Sequence, residues 1–419
     1  MTHIRLNSLA LGALALALFF GGPVVGQPKP VPGPIPAAPT SLKPPVAADG
    51  EIRVDQDKTV LSVMLAAKMP LKLAVMSKPD RVIVDLPEVN FQLAPDFGRK
   101  PSGLIRSARF GLFAPGRSRI VIELARPASP IAELGEVLGG AAYKLDLILE
   151  PISAEAFQRA VQASAPLEEA KKTDLPLAPQ GDSRPVIVLD PGHGGIDNGA
   201  TGFGQSLEKD VVLGFARELK AKLEEGGKYR VVMTRDRDVF VSLGDRVKTA
   251  QKSGAALFIS IHADTLSAAP SVRGFTVYTG SEKASDAEAA RLAEAENLSD
   301  QIAGADNEDE SDEIAGILGD LTLRETRSYS HLFARTLVGQ MSGGTKANKN
   351  PHRSARFRVL RAPDVPSVLL ELGYLSSKAD AEMMQDPAWR GQTASTIVAA
   401  VNNFMAPRMA VGGAPLSKP

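Results

Sequence analysis

The sequence predicts an α/β domain with a mostly parallel sheet, preceded by a small all-β sandwich. From residue 184 onward, short apolar strand patterns alternate with helical patterns, the order expected of a parallel sheet covered by helices. Between residues 49 and 152, strand patterns separated by turn residues predominate instead. Hydrophobic residues make up 44% of the 419 residues, enough to bury the cores of about two or three domains.

The overall composition limits the partners and the metal sites that the chain can have. The formal net charge is zero, which indicates no nucleic-acid partner and no polybasic membrane contact. There are no cysteines, so disulfides, iron–sulfur clusters and thiolate zinc sites are excluded. Any metal site must therefore use the five histidines and the acidic residues.

Residues 1–26 have the pattern of a secretory signal peptide. Arg5 precedes an apolar run over residues 9–20, which Gly21 and Pro23 interrupt. The run is too short for an ordinary membrane span, so no stable span is expected after cleavage. The alternative is an uncleaved N-terminal anchor, and either interpretation places the rest of the chain outside the cytoplasm.

A proline-rich stretch and a strand-rich segment follow the signal peptide. Proline is dense in residues 27–48, which predicts a semi-rigid, polyproline-like linker. Alternating patterns at 82–86, 119–124 and 143–149 predict strands of a β-sandwich that spans residues 49–152. This segment contains no histidine, so a binding or docking module is favoured over an enzyme.

The α/β domain is assigned to residues 184–407. Residues 153–183 are interpreted as a second linker, and residues 408–419 as a tail rich in Gly and Pro. The predicted strands of the domain fall at residues 186–189, 230–234, 256–261, 274–278 and 367–372, and two predicted helices at residues 210–225 and 243–252.

Four polar side chains lie where this fold can bring them together. His193 is in the glycine-rich turn DPGHGG after the first strand, His262 ends the third strand and Glu371 lies in the last strand. Glu208 lies at the start of a helix. Ligand-binding groups of open α/β sheets collect at the carboxyl ends of strands. Two imidazoles and one carboxylate make an open three-ligand zinc site with a position for water, and Glu371 could act as the general base.

Each of these residues also has an ordinary structural explanation. A single histidine in a turn, such as His193, is more often structural than metal-binding. Glu208 could be only a favourable charge at a helix N-terminus, and Glu371 could be a buried, paired carboxylate. Spacing alone leaves these alternatives open.

The order of four motifs resembles that of zinc-dependent N-acetylmuramoyl-L-alanine amidases. DPGHGG, LEKD, FISIHAD and SVLLELGYLS match the family pattern from about residue 184 to residue 407. The resemblance implies Zn²⁺ ligands at His193, Glu208 and His262 and a catalytic carboxylate at Glu371. It implies cleavage of peptidoglycan between N-acetylmuramic acid and L-alanine. Asn198 is a small departure, because the family often has proline there.

The preceding segment resembles the AMIN domain found in front of such amidases. The resemblance rests on PDRVIVDLP and GLIRSARFGLFAPGRSRIVIELARP, and it implies targeting to the cell wall, especially the division septum. The whole arrangement is similar to the periplasmic division amidases of Gram-negative bacteria, which act in daughter-cell separation.

An acidic insertion, residues 282–325, interrupts the α/β domain. Its apolar residues Ile314, Ile317, Leu318 and Leu321 have the spacing of an amphipathic helix. One interpretation is a solvated acidic loop with one helix packed on the domain. The family resemblance implies another, in which a helical insertion covers the zinc groove until an activator protein with a degenerate LytM-type domain displaces it.

In this second interpretation one glutamate of the insertion fills the open zinc position and inhibits the enzyme. Glu313 is the predicted blocking residue, because it directly precedes the apolar stripe. Glu294, Glu296 and Asp312 are the alternatives.

Two other functions also stay open: a zinc peptidase that cuts within the stem peptide, and a non-catalytic wall-binding protein.

Overall fold

The computed structural model describes residues 43–94, 96–164, 182–266, 272–305 and 316–410. The predicted signal peptide and most of the proline-rich linker lie outside the described residues, as do the tail beyond residue 410 and the predicted blocking residue Glu313. Within the described residues, no helix combines the length and the apolarity needed to cross a membrane.

Two sheets of the N-terminal half pack face to face, in the orders β5-β1-β2-β9-β8 and β3-β4-β7-β6. Neighbouring strands are antiparallel except β1 and β5. The strands are β1 (Val46–Asp55), β2 (Lys58–Leu65), β3 (Lys72–Met76), β4 (Arg81–Pro87), β5 (Asn90–Gln92), β6 (Ile105–Ala114), β7 (Arg117–Leu124), β8 (Ala128–Val137) and β9 (Ala142–Pro151).

The sandwich core follows from the period of two in these strands. Leu61, Val63 and Leu65 of β2 are buried against Val82 and Val84 of β4, from the opposite sheet, because alternate residues of a strand share a face. The predicted all-β sandwich is confirmed.

Both ends of the sandwich extend into segments predicted to be linkers. β1 begins at Val46, inside the predicted proline-rich linker, because Ala47 is fully buried and Val46 pairs with Asn90. Helix α1 (Ala154–Ala163) lies in the second predicted linker, and its Phe157 is fully buried in the sandwich core.

The C-terminal half contains a six-stranded sheet in the order β11-β10-β12-β15-β13-β14. All neighbouring strands are parallel except β13 and β15, which confirms the mostly parallel sheet. The elements are β10 (Val186–Pro191), α2 (Glu208–Glu225), β11 (Arg230–Met233), α3 (Leu243–Lys252), β12 (Ala255–His262), β13 (Phe275–Gly280), α4 (Ala287–Asn297), α5 (Ser299–Ile302), α6 (Gly316–Met341), β14 (Ala347–Ala355), β15 (Ser367–Glu371), α7 (Lys378–Gln385) and α8 (Pro387–Ala410).

Helices cover both faces of this sheet. Ile187 and Leu189 of β10 face the core formed with α2, α6 and α8, whereas Val186 and Val188 face the core formed with α3 and α4. A strand that is buried on both faces consists of consecutive apolar residues, and this run makes β10 recognisable in the sequence. Because β10, β12 and β15 are parallel neighbours, their carboxyl ends meet at one edge.

Candidate metal centre and catalytic carboxylate

The first histidine is presented by a glycine-rich turn at the end of β10. His193 has a φ of 57°, in the left-handed region, and Gly194 and Gly195 also have positive φ. A Cβ atom at Gly192 would lie 2.4 Å from Cε1 of His262. Glycine is therefore required at this position, because the second imidazole lies directly against the backbone of the turn.

Two imidazoles and two carboxylates converge beside this turn. Nε2 of His193 lies 3.2 Å from Oε2 of Glu208 and 3.6 Å from Oε2 of Glu296. Nδ1 of His262 lies 3.2 Å from Oε1 of Glu208 and 3.4 Å from Oε2 of Glu296. The structure thus brings together the three predicted ligands and adds a fourth side chain, Glu296. Glu296 is one of the alternatives to Glu313 as the blocking residue of the insertion.

This donor set fits a divalent metal such as zinc. Donor atoms of His193, His262 and Glu296 all lie within 4.8 Å of one another, and Glu208 spans the two rings with its two oxygens. Nε2 of His193 is buried and has no hydrogen-bond partner among the described residues, although Oε2 of Glu208 lies 3.2 Å away. A buried nitrogen of this kind is suited to metal binding.

Asp197 fixes the orientation and tautomer of the first imidazole. Its Oδ2 lies 2.9 Å from Nδ1 of His193, and its Oδ1 accepts from the backbone N–H of Gly199 at 3.1 Å. With a proton on Nδ1, Nε2 carries no proton, and its lone pair is available to bind a metal ion. Burial lowers the pKa of His193, but Glu208, Asp197 and Glu296 together hold that pKa well above its ordinary value.

Like charges accumulate in this site. Burial, and then the charges of Glu208 and Asp264, raise the pKa of Glu371 well above its ordinary value. Burial and the charges of Glu208 and Glu296 raise the pKa of Asp264 to about 7. Burial also raises the pKa of Glu296, although both imidazoles oppose the shift. A bound cation would relieve this repulsion, since an opposite charge favours the ionised carboxylates.

Glu371 lies at the end of β15, directly beside the second imidazole. It pairs with His262 in the parallel register of β12 and β15, and its side chain is fully buried. Oε2 accepts a hydrogen bond of 3.0 Å from the backbone N–H of Asp264. Oε1 has no hydrogen-bond partner among the described residues. One oxygen is therefore held in place while the other is available to accept a proton.

Two buried arginines hold the metal-binding turn by its carbonyl groups. Arg246 donates to the backbone carbonyls of Pro191 (2.8 Å) and His193 (2.7 Å) and to Oδ1 of Asp190 (2.6 Å). Arg235 donates to the carbonyls of Pro191 (2.9 Å) and Gly192 (2.8 Å). The arrangement satisfies buried carbonyls and fixes the conformation of the turn.

Sequence reasoning missed Asp197 and both arginines. Asp197 had a usable signal, because it lies four residues after His193 in the same turn. Arg235 and Arg246 had none, because they lie outside the motifs and reach the turn only through the folding of the chain.

The acidic insertion begins with an ordered helix over the site. Glu296 of α4 is 8% exposed, and its neighbour Asn297 accepts from the N–H of Arg358 and donates to the carbonyl of Arg356, both at 2.8 Å. Arg353 pairs with Asp286 and with Glu288 at the start of the helix. Glu313 stays a prediction, since it is outside the described residues.

Comparisons with known proteins give the family of the chain. The N-acetylmuramoyl-L-alanine amidase family matches residues 187–403, and the AMIN domain matches residues 51–145. The N-acetylmuramoyl-L-alanine amidase AmiC of Escherichia coli O6:H1 is 34% identical over 367 residues, which cover 83% of this chain and 87% of that protein.

Two further comparisons concern another relative and a solved structure. The N-acetylmuramoyl-L-alanine amidase AmiC of Neisseria meningitidis serogroup B is 32% identical over 364 residues, which cover 83% of this chain and 87% of that protein. The solved structure of the N-acetylmuramoyl-L-alanine amidase AmiC2 of Nostoc punctiforme has 28% identity and a TM-score of 0.38, and the match covers 53% of this chain and 97% of that chain.

Proposed function

Because the chain belongs to the N-acetylmuramoyl-L-alanine amidase family, we propose that it hydrolyses the amide bond between N-acetylmuramic acid and L-alanine in peptidoglycan. The observation that carries this proposal is the convergence of His193, Glu208 and His262 beside Glu371 at one sheet edge. These three side chains are the proposed zinc ligands. Zinc bound there would polarise the scissile carbonyl and lower the pKa of water.

Glu371 carries the proton through the reaction. Its free oxygen Oε1 accepts a proton from the attacking water as the new C–O bond forms on the lactyl carbonyl carbon. The same carboxyl group then donates that proton to the amide nitrogen as the C–N bond breaks, which releases the L-alanine amine. The hydrogen bond from Asp264 N–H to Oε2 keeps the carboxylate oriented throughout.

We infer that the resting enzyme is inhibited by Glu296. Its carboxylate lies beside both imidazoles, where it would compete with water and substrate for a bound metal ion. Asn297 and Arg353 hold the helix that carries it on the catalytic domain. An activator with a degenerate LytM-type domain is proposed to displace this helix, which is a conformational switch of the order–disorder or rigid-body kind.

The cellular setting is proposed from the sequence and the family. Residues 1–26 would direct export to the periplasm, and the sandwich would target the enzyme to peptidoglycan at the division septum. Daughter-cell separation is then the process that the hydrolysis serves. This proposal is supported by the AMIN-domain match and by the signal-like N-terminus.

The test is hydrolysis of purified peptidoglycan by zinc-loaded protein of residues 27–419. We expect intact stem peptides that begin with L-alanine, identified by mass, and none of them from Glu371→Gln. Fragments cut within the stem peptide would instead establish the peptidase alternative. Absence of release from the zinc-loaded wild type and from Glu296→Ala alike would favour a non-catalytic wall-binding protein.

A further inference from the structure

The inhibitory helix continues into a segment that ends against the β-sandwich. We call residues 287–305 the inhibitory arm; it contains α4, α5 and the turn that follows. Only Leu298 separates the two helices, and Ala305 N–H donates to the carbonyl of Asp300 at 2.9 Å. The arm is therefore a continuous hydrogen-bonded unit from Glu296 to its end.

The sandwich holds the end of the arm with buried cations. Arg119 is 1% exposed, and its Nη1 donates to the carbonyls of Ala303 (3.3 Å) and Gly304 (3.0 Å). Arg81, which is 4% exposed, donates to the carbonyl of Gln301. The carbonyls of Ala303 and Gly304 follow the last residue of α5 and lie outside the hydrogen-bond pattern of that helix. The carbonyl of Gln301 also accepts from the N–H of Gly304 at 3.0 Å.

The guanidinium of Arg119 is held in place by other residues of the sandwich. Arg119 forms a two-point pair with Asp85, at 2.5 Å through Nε and 2.9 Å through Nη2. Its guanidinium also lies over the ring of Phe113, 3.6 Å from the centroid. A rigid, planar donor of this kind loses little further freedom when it binds the arm.

Apolar packing completes the contact. Ala303 is fully buried in a cluster that includes Ile83 and Val121 from the sandwich and Phe240 from the catalytic domain. A Cβ atom at Gly304, whose φ is 66°, would lie 2.7 Å from Cδ1 of Ile83. Glycine thus allows the backbone of the arm to approach the sheet directly.

We propose that the β4–β7 face of the sandwich is an anchor for the inhibitory arm, so that the AMIN domain takes part in autoinhibition as well as in targeting. This inference rests on the proposed function, since it concerns what keeps Glu296 in the metal site. The arm is attached on two sides. Glu288, Asn297 and Asp300 bind it to the catalytic domain. Arg81 and Arg119 bind it to the sandwich. Loss of the sandwich contact raises the population in which Glu296 has left the imidazoles.

The test uses the full mature chain and measures the arm directly. The first variant is Asp85→Asn with Arg119→Gln, which removes both charges and so leaves no unpaired buried ion. The second is Gly304→Val, which disrupts the same contact from the arm and leaves the sandwich unchanged. The readouts are hydrogen exchange of the amides of α4 and basal hydrolysis of peptidoglycan by the zinc-loaded protein.

Both variants should increase α4 exchange and basal hydrolysis about tenfold or more, because each disrupts the hydrogen bonds from Arg119 to the carbonyls of Ala303 and Gly304. Arg53→Gln, at an exposed ion pair of the sandwich, is the matched control and should change neither. Asn297→Ala is the positive control for release of the arm. Unchanged α4 exchange in both variants, while Asn297→Ala accelerates it, would overturn the anchor.

The two proposals fail in different ways. If Glu296→Ala raises hydrolysis but neither sandwich-contact variant changes exchange or hydrolysis, autoinhibition stands and the anchor is wrong. If the contact variants accelerate α4 exchange but Glu296→Ala leaves hydrolysis unchanged, the anchor holds the arm and the inhibitory role of Glu296 is wrong.

Discussion

Oε2 of Glu296 lies 3.4 Å from Nδ1 of His262. The first residue belongs to the acidic insertion and the second to β12, one of the two central strands of the catalytic sheet. The distance links a segment expected to regulate the enzyme with a side chain expected to hold its metal.

Replacement of the insertion carboxylate should activate the enzyme. In Glu296→Ala, no carboxylate of α4 occupies the open metal position. We therefore expect basal release of stem peptides to rise about tenfold or more, which corresponds to about 1.4 kcal/mol of free energy by which Glu296 stabilises the inhibited state. The control is Glu294→Ala, since Glu294 is exposed on the same helix. Equal basal rates in the two variants would contradict the inhibitory role.

Loss of the proton carrier should abolish turnover without removing the metal. Glu371→Gln keeps the shape of the side chain but cannot accept a proton, so we expect kcat to fall about 10²–10⁴-fold. Zinc content, measured by atomic emission, should be unchanged. Glu382→Gln, at an exposed surface position, should retain full activity. A Glu371→Gln protein with near-normal kcat would assign the general base to another group.

Removal of the carboxylate behind the first imidazole should weaken metal binding. Asp197→Ala leaves Nδ1 of His193 and the N–H of Gly199 without their acceptor, and we expect zinc affinity to fall about 10–100-fold. Competition with a chromophoric chelator measures the change. Asp236→Ala, at an exposed position, is the control, and equal affinities in the two variants would show that Asp197 does not orient the ring.

The arginine that holds the turn should matter for stability. Arg246→Met leaves Asp190 buried without its ionic partner and removes a donor from the carbonyls of His193 and Pro191, of which only that of Pro191 keeps another donor, Arg235. We therefore expect the free energy of unfolding to drop by about 3–5 kcal/mol. Thermal unfolding followed by circular dichroism measures this as a lower Tm. Arg217→Met, at an exposed position, is the control and should have little effect on Tm. If Arg246→Met had the same Tm as the wild type, Arg246 would not stabilise the fold.

Metal affinity should decrease in acid. The carboxylates around His193 hold its pKa well above the ordinary value, so the metal-free imidazole stays protonated to a higher pH than a free histidine. A metal must displace that proton, and affinity should therefore rise with pH, by about tenfold per pH unit for each proton released. Calorimetry in buffers of different ionisation enthalpy counts the protons, and a count of zero at pH 6 would contradict this prediction.

The sequence by itself determined the fold class and the four polar positions. Strand and helix patterns depend on local periodicity, and β10 was readable because it is buried on both faces. His193, His262 and Glu371 lie in motifs at strand ends, where an α/β sheet collects its functional groups, and Glu208 lies at the start of a helix.

Only the tertiary structure decided that Glu296 reaches the metal site. The prediction of Glu313 rests on a local criterion, its position before an apolar stripe, and stays a prediction because Glu313 is outside the described residues. Glu296 lies beside His193 and His262 because α4 packs on the sheet face that α3 also covers. The same holds for Arg119, which meets the carbonyl of Gly304 across 185 positions of the sequence. Contacts between distant segments depend on how elements pack, and no local pattern encodes that packing.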